Sequence, residues 1–370
     1  MAERTIALQS LHDWVVALWR AAGSSPREAS LTADHLVGAN LAGHDSHGVG
    51  MVPRYVASHL NGELQLNREI AVVNESGSLV TIDGRRGMGQ SVTHQAMALA
   101  IERARAHGVC VLGLKHAHHI GRVGHWAEQA AAAGLVSVHF TNAVSTGPLV
   151  APHGGAQARF LTNPFTVGIP RAGADPVVLD FATSAIAHGK VRVAYNKGVP
   201  VPEGCLIDAR GRPTTDPAVL FEPDGEEGGL GALRTFAAHK GHALAMVCEL
   251  LGGALTGGDT AVPASCPPRH AIWNNMLAIV FDPQKMGTSG HFETSAREFV
   301  DWLQSAPLAD GSDGVMMPGD PERLARRDRA RGIPIDDETL AQLDEAARQI
   351  AAAHGSGPGP LSTRTTRNPH

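Results

Sequence analysis

Aromatic side chains are few in this 370-residue chain, 4% of residues against 43% hydrophobic overall, so its core must be built from Ala, Val and Leu. Cysteine is scarcer still. Cys110, Cys205, Cys248 and Cys266 stand far apart and form no C-x-x-C pair. Cys110 and Cys248 sit in apolar runs, where a reduced, buried thiol is expected. No segment approaches the roughly 18 uninterrupted apolar residues of a membrane span. Met1-Ala2-Glu3-Arg4-Thr5 lacks the apolar core of a secretion signal. Excess charge is missing too: a formal net charge of −5 argues against a general nucleic-acid or membrane-surface binder. A soluble protein of a reducing, cytoplasmic compartment is expected. The length allows two domains, or one large α/β unit with an appendage. What the chain does have is histidine, 20 residues of it, and not as a tag.

The first sixty residues read as helices. Leu8, Leu11, Val15, Leu18 and Trp19 recur at helical spacing and stop at Gly23. Ser25-Pro26-Arg27-Glu28 resembles a capping box with proline at the first helical position, opening a helix to about residue 42. A third helix over 52–60 leaves His44, Asp45, Ser46 and His47 in a short connection. From about residue 70 strands and helices alternate, which argues for an α/β layer. Strands are expected over 70–73, 79–82, 109–114, 135–141, 177–179 and 277–281, and helices over 91–107, 123–133, 244–255 and 293–304. A last helix over 336–353 precedes a Gly/Pro/Ser/Thr-rich tail, 354–370, expected to be disordered.

A dinucleotide fingerprint is the natural search in an α/β chain, and it fails. Gly84-Arg85-Arg86-Gly87-Met88-Gly89 follows a strand and precedes a helix but lacks the G-x-G-x-x-G spacing and a later acidic partner. Two histidine clusters are more informative. In His44-Asp45-Ser46-His47, capping of the next helix by Asp45 or Ser46 explains part of the polarity, but not two flanking histidines. Histidine gives and takes a proton near neutral pH, and a neighbouring hydroxyl can orient it. The second cluster, Lys115 to His125, stands at a strand end. It admits two readings: a metal site pairing His118 with His44 or His47, or a substrate and cofactor loop in which Gly121 allows close approach and Arg122 clamps an anion. Spacing leaves both open. No H-E-x-x-H occurs, and a zinc hydrolase remains the alternative from another class.

Together with GHDSHG (43–48), Pro53 and Tyr55, a series of segments runs in order along the chain: HHIGRVGHWAEQAAAAGLVS (118–137), VAPHGG (150–155), TNPF (162–165), LDFATSAIAHGK (179–190), GCLIDARGRPTTDP (204–217), HKGHALAMVCELLGGALTGG (239–258) and MPGDPE (317–322). As a set they resemble the malate/lactate dehydrogenase type-2 family, in the branch that reduces 2-oxoglutarate and aromatic 2-oxo acids. The resemblance implies a non-Rossmann α/β fold, with a central mixed-sheet dinucleotide-binding domain over 69–285. A helical domain would be assembled from 1–68 and 286–353. It also implies a homodimer, NAD or NADP as cofactor, a small 2-oxo or 2-hydroxy acid as substrate, and no metal. Carried over residue by residue, His47 matches the active-site histidine, Ser46 its neighbour and His119 the histidine of the second loop. Gly121, Arg122 and Val123, then Val178, Leu179, Asp180, Phe181 and Ala182, match dinucleotide-contacting stretches. His239, Asn274, Gly319 and Asp320 fall in the remaining ones.

The resemblance thus implies His47 as proton donor in reduction, oriented by Ser46 or Asp180. His119 and Arg122, with Met51, Arg54 and Tyr55, are the expected substrate residues. Met51 stands where many family members carry the arginine that holds the substrate carboxylate, so Arg122, or secondarily Arg54, is expected to supply that cation, and Met51 to widen the pocket. Leu161 replaces a glycine usual before Thr-Asn-Pro, and no function attaches to it. The same family hosts cyclic imino-acid reductases and ureidoglycolate, malate and lactate dehydrogenases, which remain alternatives.

Overall fold

The computed structural model describes residues 3–224, 228–267, 270–364 and 366–367. Strand β1 (Glu3–Ile6) leads into α1 (Leu8–Ala21), whose stripe of Leu11, Trp14, Val15, Leu18 and Trp19 is fully buried. Each such side chain contributes on the order of 2–3 kcal/mol of burial before entropy is counted. Helix α2 (Pro26–Leu41) opens with Ser25 Oγ accepting from the Glu28 N–H at 3.2 Å. The other half of the expected capping box is absent, because the Glu28 carboxylate accepts from Ser24 Oγ and the Asn67 N–H instead. Two 3-10 turns, Asp45–His47 and Val49–Met51, then join α2 to α3 (Val52–Leu60).

The α/β layer follows: β2 (Ala71–Ser76), β3 (Leu79–Asp83), α4 (Gly89–His107), β4 (Val109–His118), α5 (Gly124–Ala132), β5 (Val136–Val144), β6 (Phe165–Ile169) and β7 (Val177–Phe181). Strand β4 runs four residues past its expected end at Leu114. The polar residues there are paired: the His116 N–H donates to Asn275 Oδ1, and its ring meets Asp83. Next come α6 (His188–Lys197), a small sheet of β8 (Leu206–Ile207), β9 (Pro213–Thr214) and β10 (Ala232–Leu233), and α7 (His239–Cys248). A helix over 244–255 is expected, but α7 starts earlier and passes at Glu249–Gly253 into a π-helical turn. There Gly252 and Gly253 press on β5; a Cβ at Gly252 would lie 2.7 Å from Phe140 O. Strand β11 (Trp273–Phe281) inserts between β4 and β5, giving the order β2-β3-β4-β11-β5-β6-β7. Only the β3–β4 pairing is parallel, so the sheet is mixed.

Helix α8 (Ser289–Gln304) keeps only Val300 buried among its described side chains. Helix α9 (Asp320–Asp328), β12 (Ile333–Asp336), α10 (Asp337–His354) and β13 (Thr366–Arg367) complete the chain. One core joins Ile6, Trp14, Tyr55 and Met88 with Ile335, Leu343 and Ile350, so side chains from both ends of the chain pack together. The tail corrects an expectation of disorder. Up to residue 364 it packs on that core, with Leu361 fully buried, its N–H bonded to Asp344, and Trp14 Nε1 donating to Gly359 O. Residues 366–367 pair with β1, while 365 and 368–370 lie outside the described residues. Among the described residues no helix is long and apolar enough to cross a membrane.

Candidate active site

The connection after α2 is pinned rather than loose. Asp45 holds Arg329 in a two-bond fork at 2.7 and 2.9 Å and accepts from Asn40 Nδ2; His44 Nε2 meets Glu322 Oε1 at 2.8 Å. Neither Asp45 nor Ser46 caps α3, whose N-cap position is Met51. Ser46 Oγ lies 3.0 Å from His47 Nδ1 instead, and the half-buried His47 ring stacks on His119 with centroids 5.6 Å apart. Burial pushes the His47 pKa down to about 4; Asp180 opposes the shift, and His44 and Arg122 reinforce it.

His119 comes off the end of β4 and is nearly buried. Its Nδ1 is 2.5 Å from the Tyr55 hydroxyl, which also accepts from Gln90 Nε2 at 3.2 Å. Burial raises the Tyr55 pKa and lowers that of His119, so both groups are neutral, and the tautomer that suits the site has the phenol donating to Nδ1. That leaves His119 Nε2–H as a donor beside His47. Tyr55, expected at the substrate, is fully buried and orients His119. Met51 is half-buried against the helical core. Arg54 is committed to His270 O at 2.9 Å and Ser145 Oγ at 3.0 Å. Leu161 is itself buried.

Arg122 is 3% exposed, with Nη2 on Glu128 Oε2 at 2.6 Å and Nη1 buried without a partner. Asp180 accepts from the Gly124 N–H at 2.7 Å and Thr166 Oγ1 at 2.8 Å, so it caps α5 and reaches His47 only through its charge. Val123 is buried in the sheet core, and Phe181 packs edge-on against Phe165 and Phe236. Val178 and Gly319 line a cleft of about 80 Å³ faced by Arg323 and Arg326, with the Val178 N–H on Pro318 O. Leu179 lies beside Val178 on β7, and Asp320 opens α9, its carboxylate on the Met317 N–H and Arg323. Ala182 follows β7 half-buried. The carboxylates of Glu128, Asp175 and Glu322 line the same cleft, with Arg326 on Glu128 and Arg323 on Asp320 and near Asp175, which leaves Arg122 Nη1, buried without a partner, to meet an anion.

Two expected contacts separate from this group. Asn274 spends both ends of its amide within the fold, accepting from the Ile120 N–H and donating to Asn142 O, and so fixes the second loop. His239 is exposed near His153, ring centroids 6.1 Å apart, next to a cleft of about 360 Å³ that includes Arg210 and Arg234. His118, the candidate metal ligand, is fully buried with Nε2 on Ser58 Oγ. Among the described residues no three His, Cys, Asp or Glu side chains converge as a metal-binding set.

This geometry coincides with a clear kinship. The model of the malate/L-lactate dehydrogenase family matches residues 6–344. The chain belongs to the malate/L-lactate dehydrogenase family. It is 50% identical to hydroxycarboxylate dehydrogenase B of Escherichia coli strain K12 over 345 residues, covering 92% of this chain and 93% of that protein. It is 35% identical to a Delta(1)-pyrroline-2-carboxylate/Delta(1)-piperideine-2-carboxylate reductase of Pseudomonas syringae pv. tomato, covering 93% and 96%. Among solved structures, the sulfolactate dehydrogenase of Methanocaldococcus jannaschii superposes with a TM-score of 0.83 at 29% identity, covering 95% and 98%. Membership makes the chain an oxidoreductase with this family's mixed-sheet, non-Rossmann α/β fold.

Sequence reasoning misses Gln90, Glu128, Arg326, His35 and Asn40. Gln90 belongs to no motif, Glu128 lies within the 118–137 segment without a role attached to it, and the buried His35 and Asn40 read as ordinary interior positions of a helix.

Proposed function

We propose that this chain reduces 2-oxo acids to 2-hydroxy acids with NADH or NADPH, His47 giving the proton. The observation that carries the reading is the His47 ring, Nδ1 on Ser46 Oγ and its face stacked on His119. With Nδ1–H donating to Ser46, His47 Nε2 is the atom that gives the proton to the carbonyl oxygen in reduction and takes it back in oxidation. His119 Nε2–H is a second donor to that oxygen. The buried Arg122 Nη1 is the candidate partner of the substrate carboxylate, because Arg54 is occupied by protein acceptors. Backbone at Gly121 to Val123 and Val178 to Ala182, with Gly319-Asp320, would hold the dinucleotide. When bound, its nicotinamide supplies the hydride to the 2-oxo carbon. The kinship with hydroxycarboxylate dehydrogenase B supports a hydroxycarboxylate and its 2-oxo acid as the substrate pair, and the sequence resemblance points within that class to 2-oxoglutarate or phenylpyruvate-type acids. The test is consumption of NADH and NADPH across 2-oxo acids and cyclic imino acids; turnover of the imines alone would overturn the substrate assignment.

Two further outcomes are expected. Arg122→Ala should raise KM for the 2-oxo acid by about tenfold or more, and KM for the cofactor much less. An unchanged substrate KM removes Arg122 from that role. The depressed His47 pKa gives the second. The free enzyme carries His47 neutral at pH 7, so kcat/KM for reduction should climb steadily as pH falls from about 8.5 to about 5.5. Oxidation, which needs the neutral ring, should stay flat over that range. A reduction profile that levels off near pH 7 would assign His47 an ordinary pKa.

We also assign the chain to a homodimer, on the exposed, adjacent Phe299 and Trp302 of α8, 57% and 68% exposed. Sedimentation of a monomer at micromolar concentration would contradict this.

A further inference from the structure

Helix α2 reaches both loops of the proposed site, and two of its buried polar side chains make the same pair of contacts. Asn40 accepts the Val49 N–H on Oδ1 at 2.8 Å, and a Cβ at Gly48 would lie 2.2 Å from that oxygen. His35 accepts the Arg122 N–H on Nε2 at 2.9 Å, and a Cβ at Gly121 would lie 2.1 Å from that nitrogen. In each loop, therefore, a glycine clears the space through which a helix side chain reaches the next residue's N–H. Gly48 directly follows His47; Gly121 stands between His119 and Arg122, at φ +73°.

The chemistry of His35 makes the contact specific. To accept at Nε2 the neutral ring must carry its proton on Nδ1, and Nδ1 is buried with no hydrogen-bond partner. A buried donor left unsatisfied is costly, and here it accompanies a lone pair aimed at the second loop. Burial, reinforced by His125, Arg122, His119 and His47, holds the His35 pKa well below its ordinary value and keeps the accepting form. His125 and Trp126 pack on its ring, with centroids 4.6 and 5.0 Å away.

We propose that His35 and Asn40 are positioning residues: one rigid helix sets the separation of the loop that carries His47 from the loop that carries His119 and Arg122. Which loop serves proton transfer and which serves the substrate carboxylate and the cofactor rests on the reductase reading above. A helix fixes residues five apart to a few tenths of an ångström, and misplacement of a reacting group by about 1 Å costs on the order of a hundredfold in rate. The two residues should therefore fail differently. Removing the acceptor at 35 disturbs the loop of the substrate clamp and the cofactor backbone contacts, and removing it at 40 disturbs the loop of the proton donor.

The experiment compares His35→Leu, His35→Gln and Asn40→Leu in the full chain, by steady-state kinetics and by backbone hydrogen exchange without cofactor. His35→Leu should raise KM for the 2-oxo acid, through Arg122, and for the cofactor, through the backbone at 121–123, by about tenfold with kcat within about threefold, and Asn40→Leu should lower kcat by about tenfold with both KM values within about threefold. His35→Gln, which places an amide oxygen near the Nε2 position, should recover most of the loss. Exchange over residues 119–124 should speed up in His35→Leu but not in His35→Gln, and over 47–51 in Asn40→Leu. Should His35→Leu not fold, His35→Asn, polar but too short to reach Arg122, takes its place with the same expectations. Unchanged exchange over 119–124, or a Gln variant as impaired as the Leu variant, overturns the proposal. If the wild-type chain consumes no nicotinamide with any 2-oxo acid, the reductase reading fails, and the exchange data still decide what His35 and Asn40 do.

Discussion

Replacing His47 by alanine should cost about a thousandfold in kcat for 2-oxo-acid reduction, about 4 kcal/mol of transition-state stabilisation, with nicotinamide binding nearly intact. The size follows from what the site holds. Beside the His47 ring, His119 Nε2 is the other donor group, and burial holds the His119 pKa well below its ordinary value, so that ring stays neutral while the half-buried His47 takes up a proton. His119 can polarise a carbonyl but not protonate it, so the loss should be large without being total. Ser46→Ala removes only the partner at His47 Nδ1, 3.0 Å away, and should cost about tenfold. Single-turnover reduction with preloaded NADPH checks both, together with a fluorescence titration of the cofactor. Turnover within a few fold of wild type in His47→Ala would remove His47 from the mechanism. A parallel loss of cofactor affinity would instead make it a binding residue.

The pair Ser46–His47 is legible in the sequence because its polarity is concentrated in four consecutive residues between two apolar-striped helices. The orientation of His119 is not, because its partners Tyr55 and Gln90 lie 64 and 29 residues away and meet it only when α3 and α4 pack against the end of β4. Local signals worked where the interaction itself is local. Ser25 caps α2, and α3 has the expected limits, set by Pro53 at its start and Asn61-Gly62 after its end. Tertiary contacts account for the differences. β4 outruns its apolar run because Asn275 and Asp83 satisfy His116, and the helix after His239 slips into a π turn because glycines there let β5 approach. The tail reads as disordered by composition, yet a single buried leucine, Leu361, and the carboxylate of Asp344 tie it down. Asp180 illustrates a further limit: its position at a strand end is legible, but not that both carboxylate oxygens are spent on Gly124 and Thr166.

The abundance of histidine that stands out in the sequence should also make the fold acid-labile well above the carboxylate range. His118 and His139 are fully buried, each with one ring nitrogen on a serine hydroxyl and the other unpartnered. Burial pushes both pKa values down to about 3, with Arg54 adding to the effect at His118. In the unfolded chain both titrate near about 6.5. Between those values the unfolded state binds more protons, so this stability is complete above about pH 6.5 and drains away as pH falls. At pH 5.5 the loss is about 1.4 kcal/mol for each ring, about 3 kcal/mol for the pair, against a typical total of about 5–15 kcal/mol. His35 and His119 shift in the same direction, as do His47 and His125, both pushed to about 4. The depressed carboxylates of Glu128 and Glu322 lose their contribution only at lower pH, so the histidines act first. Urea unfolding at pH 7.5 and 5.5 should therefore differ by several kcal/mol, and His139→Gln should reduce that difference by about 1.4 kcal/mol. A stability independent of pH between those values would mean that the buried rings titrate in the folded chain as they do in the unfolded one, and with that the neutral, donor-and-acceptor arrangement around His119 and His47 would fall as well.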